Sequence, residues 1–254
     1  MRESFDSRSF SEGVSLISAF LVACALGSSV ISGVVGMAGG IVLLSAMTFV
    51  MPIRLIIPIH GCVQLVSNFS RTWMLRGHVR KNIFLSFIVG LPFGAVASVL
   101  VIKQIKDPRV FLALIAAVIF WALFKPKKFS ALKIPIWAFS VVGALTGFLA
   151  LLVGATGPFI AAFFLRDDLS KEEIVATKAS VQFASHLLKI PAFLTLGFDY
   201  SEHFVVIAAM SVAVIVGTKL GVGLLKGITP KAFTIIFKTA LFLSALRLVY
   251  KIVE

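Results

Sequence analysis

Eight apolar stretches, at about 13–50, 55–75, 82–102, 109–124, 134–165, 174–196, 204–225 and 231–250, leave this chain few ways to fold. Short charged segments separate them, and most match the roughly 20 residues that a helix needs to cross a bilayer. A single water-soluble core in 254 residues has no room for so much apolar sequence: 59% of positions are hydrophobic and only 14% charged. Backbone polar groups in hydrocarbon must be satisfied within their own segment, so the fold class expected is all-α, a polytopic helical membrane protein.

The net charge of +13 does not indicate nucleic acid, because Lys and Arg fall in short clusters between the apolar runs rather than on one stripe. Such clusters orient a membrane protein. Cys24 and Cys62 lie inside apolar runs with no CxxC or Cys/His spacing, so they read as packing residues and no metal is expected. Residues 1–12 are polar, and no small-residue cleavage site closes the run after them, so no cleaved signal peptide is expected.

Two stretches are too long for one pass. The first contains GSSVISGVVGMAGG (Gly27–Gly40) and the second GALTGFLALLVGATGP (Gly143–Pro158), where glycine and proline are expected to break the helix and start a second, short or re-entrant one. The chain also repeats at an offset of 118 residues, which carries Gly36 onto Gly154, His60 onto Lys178, Gln64 onto Gln182, Ser67 onto Ser185 and Arg71 onto Lys189. With a few residues of slippage, Asp107-Pro108-Arg109 falls on Thr229-Pro230-Lys231. This divides the chain into a first transmembrane repeat at 13–124, a basic linker at 125–133 expected on the cytoplasmic side, and a second repeat at 134–250.

Loop charge bears on how the repeats are related. Arg71, Arg76, Arg80 and Lys81 make one loop basic, whereas its counterpart around Asp199 and Glu202 is acidic, which favours inverted repeats; Lys103, Lys106 and Arg109 would then lie outside, which counts against them.

Interrupted helices at membrane depth offer free N–H groups and positive helix N-termini to an anion. The candidate binding residues at the breaks are Gly36, Gly39 and Gly40 in the first half, and Gly154, Thr156 and Gly157 beside Pro158 in the second. Close helix packing through small residues is the competing explanation for these glycines. After each break comes a polar ladder: His60, Gln64, Ser67 and Arg71, spaced four, three and four apart, share one helical stripe, and Lys178, Gln182, Ser185 and Lys189 repeat it. Asn68 and His186 lie at the stripe edges. Polar side chains in membrane segments face a bundle interior or a water-filled cavity, so His60, Gln64, Lys178, Gln182 and His186 join the candidate site. Lys178 and Gln182 have alternatives, snorkelling to the interface and bonding a neighbouring helix. Arg71 and Lys189, near helix ends, are expected to serve topology or meet lipid headgroups, and Lys219 to snorkel or line the path. Ser170-Lys171-Glu172-Glu173 reads as a capping box that opens the second ladder helix.

No GxSxG, HExxH, Walker loop or strand-linked GxGxxG is present, so an enzyme is not expected. The function class left is a small-anion transporter, with an anion channel and a non-transporting membrane accessory protein as the alternatives.

SGVVGMAGG (Ser32–Gly40), GFLALLVGATGP (Gly147–Pro158) and TKASVQFASHLLK (Thr177–Lys189), in their order, spacing and duplication, resemble the TauE/SafE family of sulfite and organosulfonate exporters from about Ser15 to Tyr250. The resemblance implies a multi-pass permease of the bacterial inner (cytoplasmic) membrane that moves sulfite, sulfoacetate or a related anion. It implies no cofactor and no nucleic-acid partner, and the chain's size is compatible with a homodimer. The sequence departs from the family at Pro158, where a further glycine is frequent, and this alters the backbone donors available at the second break.

Overall fold

The computed structural model describes residues 7–35, 39–107, 109–124, 134–164, 168–224 and 242. Among these every regular element is helical: α1 (Ser7–Val35), α2 (Gly39–Met47), α3 (Ile53–Met74), α4 (Lys81–Ile102), α5 (Arg109–Phe124), α6 (Phe139–Val153), α7 (Gly157–Phe164), α8 (Lys171–Thr195) and α9 (Phe204–Leu224), with single 3-10 turns at Arg76–His78, Ile136–Ala138 and Ser201–His203. The linker at 125–133 and the last apolar stretch lie outside the described residues.

Among the described residues, four segments are long and apolar enough to cross a membrane: Leu16–Val34, Lys81–Ile102, Ile136–Val153 and Ser201–Leu224. They belong to α1, α4, α6 and α9, and these helices pair off. In α4 and α6 the glycines of each face press on the other's backbone: a Cβ at Gly90 or Gly94 would run into the carbonyls of Ser140 or Ala144, and one at Gly143 or Gly147 into those of Phe87 or Leu91. The order of these contacts makes the two helices parallel. α1 and α9 are also parallel, since Gly217 abuts the Leu26 carbonyl and Gly221 that of Val30. Small residues four apart let helix axes approach where no hydrophobic effect drives them together. Outward faces carry Phe93, Val96, Val205, Val212 and Leu220, all exposed, as suits contact with lipid tails.

The expected breaks are therefore narrower than the glycine-rich stretches. α1 continues through Gly27 and Gly33, and α6 through Gly143 and Gly147; of these Gly33, Gly143 and Gly147 serve packing, whereas Gly27 has open space around it. The second break is confined to Gly154, Ala155 and Thr156, where Gly154 takes φ +83°, a conformation that favours glycine. α1 ends at Val35 and α2 starts at Gly39; the residues between them, 36–38, lie outside the described ones. Each break is followed by a short helix, as the sequence predicts.

α3 and α8 occupy the middle. α8 opens with the expected capping box: Ser170 Oγ accepts from Glu173 N at 3.2 Å, and Glu173 Oε2 accepts from Ser170 N at 2.9 Å. The two helices run antiparallel. His60, early in α3, meets His186, late in α8, with ring centroids 5.8 Å apart, while Arg80, just beyond α3, donates its N–H to Thr177 Oγ1 at 2.9 Å near the start of α8. A 2.9 Å ion pair between Arg80 Nε and Glu173 fastens the same end.

Candidate anion site between the central helices

Both polar ladders are buried. His60, Gln64, Ser67 and Arg71 on α3, and Lys178, Gln182, Ser185, His186 and Lys189 on α8, are each less than a tenth exposed. This corrects the expectation for Arg71 and Lys189, which do not reach headgroups. Each is 1% exposed, because the flanking helix pairs close over the ends of the central helices. Lys219, in contrast, is exposed on α9 and lines no path.

Between α3 and α8 lies an enclosed cavity with room for little more than one water molecule. Its wall includes Gly40, His60, Gln64 and Asn68 from the first half and Ala155, Gly157, Gln182 and His186 from the second, with Ser32 and Ile41 completing it. Six of the residues singled out from sequence thus meet at one place: Gly40, His60, Gln64, Gly157, Gln182 and His186. The others lie around it. Gly39 packs on α1, where a Cβ would strike the Ser28 carbonyl. Gly154 turns its carbonyl to Lys189 Nζ, which donates to it at 2.5 Å. Thr156 is buried, and its carbonyl accepts from Ile160 N at 3.0 Å to open α7. Lys178 is fully buried but does not line the cavity. Gly36 is outside the described residues.

Sequence reasoning left Ser32 and Ala155 out. Ser32 stands one turn beyond Ser28 and Ser29 on α1, so a polar stripe in that helix was the available signal. Ala155 has no polar side chain and is recruited by the break alone.

Hydrogen bonds orient this wall. His60 Nε2 lies 2.7 Å from the Gly40 carbonyl, which only accepts, so Nε2 carries the hydrogen and Nδ1 is left as an acceptor. Neither His60 Nδ1 nor His186 Nδ1 has a protein partner. Asn68 Nδ2 donates to the Gln64 carbonyl at 2.8 Å, and Asn68 Oδ1 accepts from Arg71 Nη1 at 3.2 Å. Arg71 Nη2 donates to Ser67 Oγ at 3.2 Å, and that hydroxyl also meets Ser29 Oγ at 3.1 Å and Thr218 Oγ1 at 3.2 Å. One serine therefore joins α1, α3 and α9.

The electrostatics are one-sided. Arg71 and Lys189 are both within the interior, and the acceptors their side chains meet there, Asn68, Ser67 and the Gly154 carbonyl, are neutral. Cationic groups held away from water without a buried carboxylate are costly unless an anion joins them.

A bundle of apolar helix pairs around two buried polar helices, with the starts of α2 and α7 reaching a shared cavity, defines an integral membrane protein with an internal polar site. The family model for the sulfite exporter TauE/SafE matches residues 20–248, and the chain belongs to that family. It is thereby a member of a family of membrane exporters and permeases for sulfite and related anions. No curated protein and no solved structure matches the chain.

Proposed function

We propose that the protein is a secondary transporter of the bacterial inner membrane that carries sulfite or an organosulfonate such as sulfoacetate through the cavity between α3 and α8. The observation that carries this reading is the convergence of both halves on one enclosed polar cavity, with Arg71 and Lys189 buried near it and held by neutral acceptors. Amide groups at Gln64 and Gln182 supply neutral donors for anion oxygens, and the N-terminal ends of α2 and α7, at Gly40 and Gly157, add positive helix-dipole ends.

The halves act as inverted repeats. Under the 118-residue offset α1 corresponds to α6 and α3 to α8, and α4 corresponds to α9 with slippage. The parallel pairs α1/α9 and α4/α6 then exchange under a two-fold operation that passes between the antiparallel α3 and α8. A site on such an axis is opened to either side by rocking one set of helices against the other. The cavity is too small for an oxyanion while closed, so this is an occluded arrangement that must expand on loading. The sequence carries no ATP-binding motif, and the energy comes from a substrate gradient, an ion gradient or a partner.

The test is uptake of radiolabelled sulfite and sulfoacetate into proteoliposomes, competed with phosphate and carboxylates. Sulfur oxyanions are expected to be taken up in preference, and the Gln64→Ala, Gln182→Ala double variant to lose that uptake. Undiminished flux in the double variant would sink the assignment of this cavity.

A further inference from the structure

The two cations that sequence reasoning assigned to the membrane surface stand at opposite ends of the cavity. Lys189 crosses α3 at Gly61, where an added Cβ would lie 3.1 Å from the lysine Cδ. Arg71 is ten residues further along α3, about 15 Å away along the axis at 1.5 Å per residue. The cavity residues Gln64 and Asn68 occupy the interval between them, with His60 beside the lysine crossing.

Each cation is held by neutral acceptors at a junction between helices. Lys189 donates to the carbonyl of Gly154, the left-handed residue that joins α6 to α7. Arg71 donates to Asn68 and to Ser67, the hydroxyl that also meets α1 and α9. Its Nε has no partner although it is buried. An oxyanion is a stronger acceptor for either cation than a carbonyl, an amide or a hydroxyl, because the bond becomes charge-assisted on both sides.

We propose that Arg71 and Lys189 are the two gate residues of the transport path, each receiving the anion from its own face of the membrane. This rests on the transport reading above. An anion arriving at Lys189 takes the lysine from Gly154 and frees the α6/α7 joint, whereas one arriving at Arg71 takes the guanidinium from Ser67 and loosens the α1/α3/α9 junction. The Arg71 end carries Arg76, Arg80 and Lys81, and the Lys189 end carries Arg54, Lys103, Lys106 and Arg109, so loop charge does not decide which gate faces the cytoplasm; the two gates serve opposite faces.

The experiment measures KM for sulfite from each face separately, in right-side-out and inside-out vesicles. Lys189→Gln is expected to raise KM about tenfold on one face and to leave the other within about twofold; Arg71→Gln is expected to do the reverse. Equal changes on both faces, or none on either, overturn the assignment. Where a glutamine variant does not fold, Lys189→Arg and Arg71→Lys replace it: they keep the charge and misplace the donors, and the same one-sided change is expected, with equal changes again overturning the proposal. Wild-type vesicles that carry sulfite in neither direction overturn the transport reading itself, a result separate from symmetric behaviour of the variants.

Discussion

Gln64 and Gln182 lie on two helices that face each other, and both reach the same cavity. A glutamine in such a position offers two amide hydrogens without the desolvation cost of a second full charge. Replacing both is expected to cut sulfite uptake at least about tenfold, while each single variant loses less because its partner still donates; initial rates in proteoliposomes check this ordering. At this scale the sequence was readable where spacing alone decides. The four-three-four ladder identified His60, Gln64 and Gln182 as inward-facing, since one stripe of a helix has one environment. It misplaced Arg71 and Lys189, because whether a cation near a helix end meets headgroups depends on what closes over that end. Here α1, α6 and α9 do so through bonds to Ser67 and Gly154 that no local pattern encodes.

Among the elements, the glycines have two separate roles that look alike in sequence. Gly154 serves a break with its positive φ, whereas Gly90, Gly94, Gly143 and Gly147 sit inside continuous helices where backbones touch. Gly94→Ala drives a methyl into the Ala144 carbonyl and is expected to destabilise the α4/α6 pair by about 1–3 kcal/mol, read as a lower unfolding temperature in detergent. Gly77→Ala, with open space around it in an exposed turn, serves as the control and is expected to shift that temperature little. Ser170→Ala removes a cap whose hydrogen bonds are in place, and a loss of about 1 kcal/mol is expected in the same measurement. The cap and the short helix after each break were legible because their signals are local. Helix pairing was not, since it depends on which glycine faces meet, and those residues are far apart in the chain.

For the molecule as a whole, hydropathy fixed the membrane class and the 118-residue echo pointed to two related halves; neither disclosed that α3 and α8 are the inner layer and the four apolar segments the outer one. That division follows from matching each surface to its solvent, lipid outside and a polar cavity within. A path closed at both ends of its central cavity predicts carrier kinetics: uptake of labelled sulfite saturates, and preloading vesicles with unlabelled sulfite accelerates it. Linear, preload-insensitive flux would indicate a channel instead. The account depends most on where the anion rests, and a bromine-bearing alkanesulfonate bound to the protein allows this to be located by anomalous scattering. Peaks that place its sulfonate within hydrogen-bonding reach of the Gln64 and Gln182 amides are the predicted result; a sulfonate held elsewhere, with that cavity unchanged, would contradict it.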